Sequence, residues 1–423
     1  MQNVTHLLRA RRFLPLFATQ FLGAFNDSLF KQAVVLFVTF QLYSNAAKEF
    51  QFSAIAQGLF ILPFFLFSAL AGQLADDHDK ARLIRLVKLA EIGIMTLGGA
   101  GIMLANVPLM LAAVFLMGIH STFFGPIKYA ILPQHLRRDE VLGGTGLVEA
   151  GTYIAILLGT ILAGMLSASP PTAAAAVMGF ALLGYLAGRQ VPPAPPAAER
   201  IAFDRNLFRA SIRLVSATLH IPRLFLAICS ISFFWTIGAV MIIIFPPLVK
   251  NVLGADEQVA SLFIAIFSIG IAIGSVLINR LLKSEVSARF APASVIAMGG
   301  FVLMLHFVAL AWGKHDPGVT TLGNFLVHPL AGLMIVALLG VAITGGMFVV
   351  PLYAFLTTTV PQAETARTVA ANNIVNSGAM VIGSLVAYAL SSLGIGPVGQ
   401  LLLVAAMCLV SAWLGWKLHL ACD

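Results

Sequence analysis

Apolar blocks of roughly 20 residues recur along the whole chain, each closed by charged residues, proline or glycine. A helix rising ~1.5 Å per residue needs about that many apolar residues to cross ~30 Å of hydrocarbon. The blocks predict spans near 13–42, 52–74, 82–105, 108–132, 141–166 and 171–189, and then near 222–248, 256–279, 290–312, 329–358, 365–391 and 397–417. Alternating strand-length segments are missing, which argues against an outer-membrane barrel. The pattern therefore predicts an all-α membrane protein of twelve transmembrane helices. Its parts are a six-helix bundle over 1–189, a cytoplasmic linker over 190–219 and a second six-helix bundle over 220–423. The first block is too long for a signal peptide and no small-residue cleavage site follows it, so it is expected to remain as a span.

Composition agrees. Hydrophobic residues make up 59% of the 423 positions and charged residues 10%, where a soluble domain carries about 25% charged. The formal charge of +8 could suggest nucleic acid, but its distribution gives a better account. With a cytoplasmic N-terminus, 20 of the 25 basic residues fall on the cytoplasmic side, Lys80, Arg82, Arg85 and Lys88 among them. Lys48, Lys250 and Lys314 fall opposite, and Lys31 and Lys128 lie inside spans. Such a split satisfies the positive-inside rule, puts both termini in the cytoplasm and leaves no case for nucleic-acid binding. Cys229, Cys408 and Cys422 suggest no disulfide framework, and no metal or cofactor motif occurs.

The two halves echo each other. Gly125-Pro126 and Pro133-Gln134 before the fifth span correspond to Pro351 and Pro361-Gln362 before the eleventh, and Leu16-Phe17 corresponds to Leu224-Phe225. Parallel six-helix repeats are the architecture of major facilitators, whose substrate sits near the midplane between halves. Between the second and third spans, Gly72-Gln-Leu-Ala-Asp76 with Lys80 and Arg82 resembles that superfamily's gating loop, although Asp77-His78-Asp79 replaces its usual Arg-Gly. A carboxylate at a helix end can pair with cations in one conformational state, or can simply sit solvated. The equivalent loop of the second half, from Gly274 to Lys283, keeps basic residues but has no aspartate.

Ionisable residues inside spans are costly and mark function by default. Asn26, Asp27 and Lys31 lie in the first span, with Asp27 and Lys31 an i,i+4 pair on one stripe. His120 and Lys128 lie in the fourth span and Glu149 in the fifth, where Lys128 and Glu149 could neutralise each other. Each pair also reads as purely structural, and Glu91, three residues after Lys88, is read as structural. The second half replaces these charges with Phe233, Phe234 and Trp235 in the seventh span and Asn372, Asn373 and Asn376 in the eleventh. A cavity charged on one wall and aromatic on the other suits an amphiphile better than a sugar.

The collected residues resemble a known family. Phe13-Leu-Pro-Leu-Phe17, Thr19-Gln-Phe-Leu-Gly-Ala-Phe-Asn-Asp27, Phe124-Gly-Pro-Ile-Lys-Tyr-Ala-Ile-Leu-Pro-Gln134 and Leu147-Val-Glu-Ala-Gly151 are similar to segments of bacterial lysophospholipid transporters. They are also similar to the transporter portion of fused acyltransferase proteins. The resemblance implies movement of lysophospholipid, with ethanolamine or glycerol headgroups, from the outer to the inner leaflet of a bacterial inner membrane by alternating access. It implies no cofactor and no catalysis, reacylation by a separate cytoplasmic acyltransferase, and a monomer among membrane lipids. In that mechanism Asp27 and Glu149 attract the headgroup ammonium, Lys31 or Lys128 contacts the phosphate, and Phe233, Phe234 and Trp235 line the tail path. A proton-coupled exporter of amphipathic drugs, using Asp27 or Glu149 as the titrating group, is the rival reading.

Overall fold

The computed structural model describes residues 4–137, 140–196, 209, 211–212, 215–216, 219–282, 287–312, 320–358 and 365–422. Twelve long helices are found among them. The first six are α1 (Leu14–Phe37), α2 (Ala46–Asp77), α3 (Lys80–Met103), α4 (Val107–Ala130), α5 (Val141–Leu166) and α6 (Pro170–Arg189). The second six are α7 (Pro222–Asn251), α8 (Glu257–Leu281), α9 (Ala291–Ala311), α10 (Ala331–Thr358), α11 (Thr365–Ser392) and α12 (Pro397–Cys422). Eleven have a long apolar window, and α5 adds a shorter apolar stretch over Ala150–Leu166. This is the predicted all-α membrane architecture.

Boundaries follow from end chemistry. Prolines occupy the first turn of α6, α7, α9 and α12, where a missing N–H costs nothing. Asp79 caps α3 by accepting from the backbone N–H groups of Ala81 and Arg82 at 2.8 and 3.1 Å, and Asp256 caps α8 through Val259 N at 3.1 Å. Asp79, which broke the expected loop pattern, thus starts a helix. The largest departure is α2, which begins at Ala46 and not near 52. The charges that argued against helix there are satisfied: Glu49 is 0% exposed and accepts from Lys250 Nζ and Asn251 Nδ2, both at 2.6 Å. Lys250 also donates to the Tyr43 carbonyl at 2.7 Å and to that of Thr39. Thr39 lies in a π-helical turn, Val38–Leu42, that continues α1.

Two compact units emerge, one of 1–37 with 62–210 and the other of 38–61 with 211–423. In the first, α1 packs on α5 and α6, and α3 packs on α4 and α6. In the second, α7 packs on α11 and α12, and α9 packs on α10 and α12. The same partners recur six helices later, the structural form of the repeat. Backbones approach closely where small residues allow it. A Cβ at Gly346 of α10 would lie 2.5 Å from the Ile271 carbonyl oxygen of α8, and one at Gly274 of α8 would collide with the Ile343 backbone of α10. Gly274, read from sequence as part of a loop, is therefore a helix-crossing residue.

One end of the first unit is tied by polar contacts. The Pro-rich start of the linker runs across it, with Ala194 O accepting from Lys80 N at 3.0 Å, Val191 O from Arg85 Nη2 and Pro195 O from Gln134 Nε2, both at 3.2 Å. Arg12 Nη2 donates to Glu140 Oε1 at 2.7 Å, and Glu140 Oε2 accepts from Arg137 N at 2.9 Å. The Arg12 hydrogen bond, followed by the Arg137 one, lowers the Glu140 pKa from 4.5 to about 2. A carboxyl depressed on folding stabilises fully above pH 4.5 and loses that contribution as the pH falls through about 2.

Two outcomes are expected. Gly274→Val lowers the amount of folded protein in the membrane well below that of Val276→Ala, an exposed position, as read by fluorescence-detected size exclusion. Glu140→Gln lowers the Tm of purified protein by a constant amount between pH 8 and 5, and the gap to wild type narrows as the pH falls toward 2.

Candidate functional site

Four helices of the first unit bring its intramembrane charges together. Lys88 of α3 and Glu91, one turn on, form an ion pair at 2.6 Å with both side chains 0% exposed. Sequence analysis counted Lys88 with the cytoplasmic cations. It lies instead in a slot made by glycines: a Cβ at Gly23 of α1 would come within 2.5 Å of its Nζ, and Gly184 and Gly188 of α6 flank its chain. The Phe124 ring of α4 lies 5.1 Å from the ammonium, a cation–π distance. A side chain at Gly23 would displace the ammonium, whereas at Gly184 and Gly188 it would only touch the lysine chain.

The second carboxylate oxygen of Glu91 accepts from Asn26 Nδ2 at 2.9 Å. Asn26 is itself 0% exposed, so its amide holds Glu91 in place. His120 of α4 stands between the two acids, with Nε2 3.3 Å from Glu91 Oε2 and Nδ1 3.9 Å from Asp27 Oδ1. Asp27 accepts a short hydrogen bond from Ser121 Oγ, and its side chain keeps 18% exposure. The two acids differ: Glu91 is sealed with both oxygens partnered, whereas the Asp27 side chain keeps 18% exposure and its Oδ1, itself buried, has no hydrogen-bond partner among the described residues. Lys31, one turn beyond Asp27, is within its electrostatic reach.

Of the expected site residues in this unit, Asn26, Asp27, Lys31 and His120 come together. Lys128 is half-buried and has a partner, while the side chain of Glu149 lies outside the described residues. Gly72 has open space beside its Cα, Lys80 is 3% exposed and Arg82 donates its backbone N–H to Asp79. The Asp76 side chain lies outside the described residues.

The second unit carries a neutral cluster. Trp235 Nε1 of α7 donates to Tyr353 Oη of α10 at 2.8 Å, and the Nδ2 atoms of Asn372 and Asn376 of α11 lie 3.4 Å from the same oxygen. Ser232 Oγ donates to Asn376 Oδ1 at 2.7 Å. Asn372 and Asn376 are buried and Asn373 is exposed. Phe234 is 5% exposed and edge-on to Trp235 at 5.6 Å, and Phe233 is half-buried. Ser121, Ser232 and Tyr353 were missed from sequence because serine and tyrosine in apolar spans are usually satisfied locally, so only tertiary placement distinguishes them.

Twelve helices in two six-helix repeats, with ion pairs buried among them, define a membrane transporter of the major facilitator type. The chain matches the Major Facilitator Superfamily over residues 16–321 and belongs to it. It is similar to the lysophospholipid transporter LplT of Salmonella gallinarum, 26% identical over 373 residues that cover 86% of this chain and 83% of the relative. The protein of that name from Salmonella newport matches equally well. Among solved structures, the nucleoside transporter NupG superposes with a TM-score of 0.71 at 13% identity, covering 96% of this chain and 99% of that one. An auto-inhibited POT family peptide transporter gives 0.72 at 13%, covering 98% of each chain. These last two likenesses are of fold.

The pairing of Lys88 with Glu91 is tested by removing it in two ways. Glu91→Ala alone is expected to destabilise by about 3–5 kcal/mol, since it strands a buried ammonium. Lys88→Met with Glu91→Leu is expected to recover most of that loss, read as Tm of the purified protein in detergent.

Proposed function

We propose that this transporter moves lysophospholipids, such as lysophosphatidylethanolamine and lysophosphatidylglycerol, from the outer to the inner leaflet of a bacterial inner membrane. Alternating access of its two six-helix halves carries the movement, and both termini are cytoplasmic. A separate cytoplasmic acyltransferase then restores the second chain. The observation that carries the reading is the pair of unequal carboxylates in the first unit. Glu91 is locked by Lys88 and Asn26, while Asp27 keeps 18% exposure and an oxygen without a hydrogen bond. An ethanolamine ammonium meets Asp27 as a charge-assisted donor, with Lys31 or Lys128 contacting the phosphate and Glu149 adding negative charge for the headgroup. Phe233, Phe234 and Trp235 border the acyl chain, and the names of the relatives at 26% identity point to the same cargo. Residues Gly72, Asp76, Lys80 and Arg82 belong to the gate between α2 and α3.

One observation favours a second reading. His120 within 3.9 Å of Asp27 and 3.3 Å of Glu91 is a titratable trio suited to carrying a proton, as a proton-coupled exporter of amphipathic drugs requires. Inward movement of labelled lysophosphatidylethanolamine in spheroplasts, with and without a protonophore, separates the two. Facilitated lipid movement predicts that uptake survives the protonophore and that Asp27→Asn reduces it at least ~10-fold, the worth of one charged contact. Collapse with the protonophore would favour the coupled mechanism. Absence of lipid uptake by folded protein would remove the cargo.

A further inference from the structure

The neutral cluster of the second unit has one polar atom left over. Asn372 is 0% exposed, and its Oδ1 has no hydrogen-bond partner. Among the described residues its Nδ2 reaches the Tyr353 hydroxyl, at 3.4 Å, beyond the usual range for a good bond. The neighbouring Asn376 shows the contrast: its Oδ1 is engaged by Ser232 at 2.7 Å. Tyr353 Oη is taken up at close range by Trp235 Nε1. A buried amide oxygen left without a donor is expensive, and such orphans mark places where another group belongs. Trp235, 36% exposed, is the accessible edge of this cluster.

The chemistry of the orphan restricts its ligand. It is an acceptor, so a phosphate, which offers only acceptors, gains nothing there. Among the described residues, those hydrogen-bonded into this cluster (Ser232, Trp235, Tyr353 and Asn376) are neutral, so an ammonium would find no counter-charge from them. A hydroxyl donates to Asn372 Oδ1 and can accept in return, so it also serves the amide if its two ends are exchanged. A one-chain phospholipid differs from a two-chain one by a free hydroxyl on the glycerol backbone. We infer that Asn372, braced by Tyr353, Trp235 and Asn376, reads that backbone hydroxyl and thereby selects lysolipids over diacyl lipids. The inference rests on the lysophospholipid reading above and deepens it by naming the side chain that reads the glycerol backbone.

A site built to hydrogen-bond a hydroxyl rejects an analogue that lacks it far more strongly than an apolar pocket could. The test compares lysophosphatidylethanolamine with its 2-deoxy analogue, in which hydrogen replaces the backbone hydroxyl, in spheroplasts carrying the full chain. Wild type is expected to move the natural lipid at least ~10-fold faster, and Asn372→Leu is expected to move both at the slow rate of the analogue. Equal transport of the two lipids by wild type would overturn the inference while leaving the cargo reading intact. That comparison needs no variant, so a misfolded Asn372→Leu does not blunt it. A loss confined to lysophosphatidylglycerol in Asn372→Leu, with no deoxy effect in the ethanolamine series, would move the contact to headgroup hydroxyls and also overturn it. No transport of either lipid by wild type would remove the cargo and this inference together.

Discussion

A lysine and a glutamate at 0% exposure cannot exist singly in a bilayer, and the first unit is arranged around that constraint. The Lys88 ammonium needs a carboxylate, which Glu91 supplies one turn away on the same helix. It also needs space, which α1 supplies at Gly23, where a Cβ would come within 2.5 Å of the ammonium, while Gly184 and Gly188 of α6 pack along the lysine chain. Glu91 needs its other oxygen satisfied, and α1 brings Asn26 to it. Each requirement fixes one more helix against α3. The approach of α1, α4 and α6 is thus set by polar satisfaction as much as by van der Waals packing, because the hydrophobic effect supplies little driving force between lipid-solvated helices.

That arrangement has a consequence for the remaining acid. With Glu91 neutralised, Asp27 is not required to hold the unit together, and it keeps a weaker set of contacts through Ser121 and His120. A carboxylate that serves as structural glue cannot also exchange partners during a transport cycle, because each exchange would strand a charge in a low dielectric. Under the proposed mechanism, dividing the two roles between Glu91 and Asp27 removes the conflict. The second unit solves a different problem with neutral groups. Its amides and rings meet through single hydrogen bonds from α7, α10 and α11, and one of those amides is left short of a partner.

Much of the fold was legible because membrane helices announce themselves by length and hydropathy, and because prolines at 170, 222, 292 and 397 fix helix starts. The errors share one cause. Charge was taken to mean water, so Glu49 was left outside α2 and Lys88 was assigned to the cytoplasmic face. Both are buried, and what rescues them lies far away in sequence, at Lys250 and Asn251 for the first and at Gly23 and Gly184 for the second. Gly274 failed in the opposite way: a glycine beside basic residues looked like a loop but marks a helix crossing. Within the candidate site the ionisable residues were visible one by one. The inequality of Glu91 and Asp27 was not, since it depends on which helix presents Asn26 and which presents Ser121.

If the cargo is the proposed lysophospholipid, the neutral character of the Asn372 cluster has a physical reason. A lysophospholipid has a zwitterionic or anionic end, a neutral backbone and a long apolar chain. Charge near the chain would have to be desolvated against hydrocarbon with no partner to offset it. Neutral hydrogen-bonding groups such as those of Asn372, Asn376 and Tyr353 cost far less when unoccupied, and they still discriminate by the presence or absence of one hydroxyl. Selectivity for a single-chain lipid therefore need not come from excluding the bulk of a second chain, which a flexible apolar path does poorly. It can come from an amide that is satisfied only when the second chain is missing.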